Sequence, residues 1–161
     1  GMPAHILTKN RKAAKSMVQN QNVQLLKELY EASHMGIEAT NLVTPKVKDE
    51  SLREEIERQR QTYKGLAVKT ERMLAEAGET PDAESAMKKA MLWGSVQMNT
   101  LMDSSPTHIA EMMINGTTMG IVDMTKKLNQ LDEADAGAKK LAEEFIRGQQ
   151  KSIEVLKQHL S

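Results

Sequence analysis

Proline and glycine punctuation constrains this chain more than any other feature. Thr44-Pro45, Gly78, Thr80-Pro81 and Ser105-Pro106 interrupt a sequence otherwise rich in Ala, Leu, Met, Glu, Lys and Gln, the side chains that lose least freedom in a helix. Between the breaks, apolar residues recur every three or four positions, so each stretch reads as an amphipathic helix. The spacing predicts long helices over about Val18–Val43, Asp49–Ala77, Ser105–Leu131 and Asp135–Leu160. A shorter one is predicted over about Asp82–Met102. Ser105 is an N-cap with Pro106 at the first helical position, and Gly78 closes the second helix. At 1.5 Å per residue each long helix spans roughly 40 Å.

Four long helices of similar length, each with one apolar stripe, predict an all-α four-helix bundle. Short links within the first and last pairs make each pair an antiparallel hairpin. The link between the hairpins is long and carries its own helix. At about 30 Å this helix can return the chain to the opposite end. Two short matches support a repeated hairpin. Met35-Gly36-Ile37 pairs with Met119-Gly120-Ile121, and Glu54-Glu55-Ile56 with Glu143-Glu144-Phe145. The glycines read as points of close helix approach, and the paired acids as solvated faces.

Composition narrows the function. Twenty-two Lys and Arg balance 22 Asp and Glu, so global charge does not hold the protein to nucleic acid or lipid. With no cysteine, disulfide scaffolds, thiolate metal sites and cysteine nucleophiles are excluded. No apolar run reaches the roughly 20 residues of a membrane span, and no signal-peptide core is present. These observations predict a cytoplasmic protein. Residues 1–17 form a basic arm in which Lys9, Arg11, Lys12 and Lys15 precede the first acid, Glu28. Gly1 before Met2 reads as a cleavage scar, and the rest of the arm as a tail fraying into the bundle of residues 18–161. Contact with nucleic acid would run only through this arm.

The layout resembles the ferritin-like superfamily over about Val18–Leu160. The HIAEMMINGTTMGIVD run within Ser105–Leu131 resembles small bacterial ferritin-like families of unknown function. The resemblance implies two hairpins joined by one long helical crossover. In metal-bearing members it further implies a Glu from one helix of each hairpin and a Glu-x-x-His from its partner. This chain departs from that pattern. The second long helix has no histidine, and the fourth has only His159 near its end. Glu31-x-x-His34 lies on the first helix instead, and His108-x-x-Glu111 on the third is its reverse. At about 100° per residue, His34 falls at the edge of its apolar stripe, Glu31 towards solvent and Glu111 opposite the apolar centre. Glu31, His34, His108 and Glu111 are thus the candidates for an altered site for iron or another transition metal, although no cofactor is expected.

Amides and phenols occupy the inward positions instead. Tyr30, Gln59, Tyr63, Gln149 and Ser152 are predicted to form a polar core layer that fixes register or lines a small cavity, with Gln59 facing Gln149. On the crossover helix, Met87, Met91, Met98 and Met102 with Leu101 form one stripe, predicted to fill the core beneath it or to serve as an adaptable partner surface. Trp93 is offset, on a second face suited to a subunit interface. No phosphate-binding glycine loop, Gly-x-Ser-x-Gly elbow or His-Glu-x-x-His run occurs. The sequence therefore predicts a non-catalytic ferritin-like bundle with an assembly or protein-interaction role, most simply as a homodimer. The alternative is a metal-binding or oxidative-stress protein using the altered site.

Overall fold

The computed structural model describes residues 1–100 and 103–161, with side chains described for all of these except 98–100. The described residues form five α-helices and no strand: α1 (Ala4–Val43), α2 (Glu50–Glu76), α3 (Ala83–Thr100), α4 (Pro106–Gln130) and α5 (Ala136–Lys157). Thr44-Pro45-Lys46 tightens into a 3-10 turn between α1 and α2. Four helix starts are capped by side chains that satisfy otherwise orphaned N–H groups, that of α3 by Asp82, which accepts from Ser85 N at 3.0 Å. Asp49 accepts from Leu52 N at 2.8 Å, Ser105 Oγ from His108 N at 3.3 Å, and Asp135 from Ala138 N at 3.0 Å. α2 ends where Gly78 takes φ 76° and Glu79 N–H returns to the Leu74 carbonyl at 2.9 Å. Only glycine adopts that left-handed conformation without strain.

Two core clusters fix the helix directions. Val43, Val47, Leu52, Ile56, Ile109 and Leu156 share one cluster with Met112 and Met113. The end of α1, the start of α2, the start of α4 and the end of α5 therefore meet. The other cluster joins Leu25, Leu26 and Leu29 of α1 to Leu74 of α2 and to Ala138 and Leu141 of α5. α1 and α2 are thus antiparallel, as are α4 and α5. Leu25, Leu29, Leu52, Ile56, Leu74, Ile109 and Leu156 are fully buried, each contributing about 1.5–3 kcal/mol of transfer free energy. α3 runs alongside α1 in the same direction. Its Lys89 bonds Glu31, and further along a Cβ on Gly94 would sit 2.5 Å from Leu42 Cδ1.

Two local expectations change. α1 begins at Ala4 rather than Val18, but residues 4–17 are all exposed. They are helical without packing, because the bundle-bound part of α1 supplies the nucleus and each further residue needs only propagation. The methionine stripe of α3 faces outward: Met87 is 46% and Met91 60% exposed. The buried residues are Ala86, Ala90 and Gly94, whose small side chains let α3 approach α1 closely. Trp93, expected on an outer face, turns inward against Gly116 of α4. The Met98 side chain, Leu101 and Met102 lie outside the described residues.

Candidate functional site

The polar residues singled out from the sequence are all buried: Tyr30 6%, Gln59 2%, Tyr63 7%, Gln149 6% and Ser152 3% exposed. They do not form one continuous network. Tyr63 Oη donates to Gln149 Oε1 at 2.8 Å, linking α2 to α5 across the core. Burial pushes the Tyr63 phenol up to about 12, against the smaller opposing effects of the Gln149 hydrogen bond and Arg58. Gln59 and Gln149 are not hydrogen-bonded to each other, although both line one recess. Gln59 Nε2 donates to Glu55 Oε1 at 3.4 Å, and Gln59 Oε1 is buried without a partner. Tyr30 lies apart, its ring centroid 4.4 Å from that of His34. Burial, then the charges of Glu71 and Asp82, raise its phenol pKa.

Glu55 belongs to this core, although its neighbour Glu54 and the helix pattern suggested solvent. It is only 7% exposed and accepts from Arg58 Nε at 2.9 Å and Nη2 at 2.5 Å. Arg58 Nη2 also donates to Ser152 Oγ at 3.3 Å. A buried carboxylate is tolerated when paired and hydrogen-bonded in this way. The usable sequence signal was spacing: Arg58 and Gln59 stand three and four residues after Glu55, within reach on one helix face. Arg58, Gln59 and Ser152 line a recess of about 230 Å³ on the α2–α5 side.

A larger cleft, about 520 Å³, opens on the other side of the Tyr63–Gln149 bond. Ala32, Met35, Gly36 and Ala39 of α1 form one wall, and Met113, Gly116, Thr117, Gly120 and Met124 of α4 the other. Trp93 of α3 closes one side, and Tyr63, Phe145 and Gln149 form the floor. At the rim, Lys89 bonds Glu31, and Lys127 lies 3.6 Å from Glu28, so α1 is tied to both α3 and α4. Asp123 adds an exposed acid.

The two glycines of the internal repeat are explained here. A Cβ on Gly36 would lie 2.6 Å from the Tyr63 ring, and one on Gly120 would lie 3.3 Å from Gln149 Nε2. These positions make room for the hydrogen-bonded floor pair rather than for a neighbouring helix backbone, the reading the sequence had favoured. The cleft itself could have been suspected from glycine and alanine on inward faces of α1 and α4. Thr117 and the inward turn of Trp93 gave no such signal.

The four candidate metal ligands are not brought together. Glu31 is engaged by Lys89, His34 packs on Tyr30, and Glu111 is exposed on α4. His108 Nδ1 lies 2.7 Å from Asp103 and 2.8 Å from Ser105 Oγ at the start of α4. Among the described residues, no three His, Asp or Glu side chains converge to share an ion. Helix geometry accounts for this, because Glu31 and Glu111 point away from the apolar stripes that carry their helices into the core. Among the described residues no helix is long and apolar enough to cross a membrane.

Comparison with protein-family models, with curated proteins and with solved structures gives no match.

Proposed function

We propose that this chain is a non-catalytic, ferritin-like four-helix bundle whose role is self-assembly in the cytoplasm. In this reading the α1–α2 and α4–α5 hairpins are the bundle and α3 is the crossover between them. The shared ends of the two core clusters support that layout. The middle of the bundle supports a role without metal chemistry. Tyr63, Gln149 and an Arg58-paired Glu55 stand where convergent Glu and His side chains would be needed.

The observation that carries the assembly role is the outer face of α3. Met87, Met91, Leu92 and Val96 are 46%, 60%, 69% and 53% exposed. The charges among them, Glu84 and Lys88, pair at 3.4 Å and cancel. An apolar face whose few charges are self-neutralising suits a second copy of itself across a two-fold axis. Light scattering tests this directly. The full chain should run as a dimer, and Leu92→Glu should run as a folded monomer with unchanged helical circular dichroism. A wild-type chain that stays monomeric at the highest soluble concentration refutes the proposal.

A further inference from the structure

The cleft between α1 and α4 holds three polar groups that the fold leaves unused. Gln149 is 94% buried by difference from its 6% exposure. Its Oε1 takes the Tyr63 proton, while its Nε2 makes no hydrogen bond among the described residues. That nitrogen is aimed at the wall at Gly120, where only the missing side chain leaves it space. Thr117 is 5% exposed, lines the cleft and makes no hydrogen bond among the described residues, whereas buried Ser33, Thr40 and Thr70 all bond a carbonyl of their own helix. Among the described residues the Trp93 indole N–H, beside Gly116, likewise has no hydrogen-bond partner.

Two of these three groups can only donate, and the third can donate. These groups line the open cleft rather than the sealed core, so each is free to bond an acceptor that enters it. The remaining walls are methionine, alanine and aromatic rings. Methionine is polarisable and adapts to irregular or aromatic shapes. The rim disfavours an anion. Its two lysines are already engaged by Glu28 and Glu31, and Asp123 repels an anion. A volume of about 520 Å³ lies within the roughly 300–1,000 Å³ of small-molecule sites.

We infer that the α1–α4 cleft binds a neutral, largely apolar carbonyl compound, its oxygen accepting from Gln149 and Thr117 and its apolar body lying along the methionine wall beside Trp93. This site is separate from the outer face of α3, so it stands or falls independently of self-assembly.

The fluorescent aryl ketone prodan is a direct probe, and Trp93, the single tryptophan, is the energy donor. Added to the full chain, prodan should quench Trp93 emission by energy transfer and shift its own emission to the blue. Acetylnaphthalene should displace it, and naphthoate, an anion of the same shape, should not. Thr117→Val keeps side-chain volume and removes only an unused hydroxyl. It should leave the melting temperature unchanged while lowering the preference for acetylnaphthalene over ethylnaphthalene by about fivefold, the scale of one hydrogen bond. Gly120→Met, which extends a side chain into the cleft, should abolish the prodan signal. Absence of energy transfer in the wild-type chain overturns the inference. Undiminished binding to Gly120→Met places the probe elsewhere and overturns it too. Displacement by naphthoate as strong as by acetylnaphthalene overturns the neutral-ligand assignment. An unchanged ketone preference in Thr117→Val removes the argument from donors.

Discussion

Alanine in place of glycine inside a helix usually stabilises a protein, and Gly36 should be the exception. Losing the extra backbone freedom of glycine is worth about 1 kcal/mol in a helix interior. At Gly36 the new methyl would lie 2.6 Å from Cδ2 and Cε2 and 2.7 Å from Cγ of Tyr63. That ring is 7% exposed, and its hydroxyl is held by Gln149 at 2.8 Å, so it cannot swing aside without breaking the bond. Overpacking of this kind costs about 1–3 kcal/mol. The net result for Gly36→Ala is a loss of about 0–2 kcal/mol. Gly65 of α2 supplies the control, because a Cβ there meets no atom within 4 Å. Gly65→Ala should gain about 1 kcal/mol. The two variants should therefore differ by about 1–3 kcal/mol in chemical denaturation. At about 2–4 °C per kcal/mol for a domain this size, their melting temperatures should also separate clearly. Repeating Gly36→Ala in a Tyr63→Leu background should recover most of the loss, since contacting residues couple. Equal stabilisation by both alanines would falsify the packing described for Gly36.

The remaining predictions concern the core, the phenol, the amides and the arm. Ile56→Ala should cost about 2–5 kcal/mol by urea denaturation, because Ile56 is fully buried among α1, α2, α4 and α5 side chains, and a loss under about 1 kcal/mol refutes that placement. Because folding raises the Tyr63 pKa to about 12, the folded state favours the neutral phenol. Its contribution is full below about pH 10 and is lost as pH rises towards 12, an effect of about 2–3 kcal/mol that Tyr63→Phe should remove from the pH profile of unfolding. Replacing Gln59 and Gln149 together by leucine should leave stability within about 1 kcal/mol or raise it, since Gln59 Oε1 is buried and unpaired; the freed Tyr63 hydroxyl is the opposing cost, and a large thermal destabilisation refutes the expectation. Removing residues 2–16 should leave the melting temperature nearly unchanged, and a large drop would mean the arm docks on the bundle.

The helices were legible because their signals are local. Asp49, Ser105 and Asp135 cap where short polar side chains precede apolar periodicity, and Gly78 stops α2 where a left-handed residue is required. Inward facing is legible for strongly patterned stretches, so the sequence alone places Tyr63, Gln149 and Ser152 on inward stripes. α3 was misjudged because its two faces differ by size rather than polarity. Ala86, Ala90 and Gly94 carry weaker hydrophobic signals than Met87 and Met91, yet closeness to α1 selects the small side chains. Glu55 was misjudged because its acceptability depends on Arg58 and Ser152, the latter 94 residues away from Arg58 in the chain. The cleft is a property of three helices at once, so no single stretch announces it. The altered metal site failed for a simpler reason: spacing on one helix says nothing about what the facing helix brings.

The unpacked start of α1 gives a different meaning to a net charge of zero. Because α1 is one unbroken helix, the angular positions of Lys9, Arg11, Lys12 and Lys15 are locked to those of Leu25, Leu26 and Leu29. At about 100° per residue Arg11 and Lys15 project on the same side as those inward leucines, Lys12 about a quarter-turn away and Lys9 nearly opposite, all beyond the end of the bundle. That end is acidic. Asp132, Glu133 and Asp135 form the α4–α5 turn, whose Glu133 N–H is held by Gln21 at 2.7 Å, and Glu79 pairs with Lys27 nearby. Balanced totals thus conceal an electric dipole, with a cationic spur projecting past an anionic rim. The expected outcome is head-to-tail attraction between copies in dilute buffer, checked by light scattering across a salt series. Added salt, with a screening length of about 8–10 Å near physiological strength, uncouples the two poles and raises solubility.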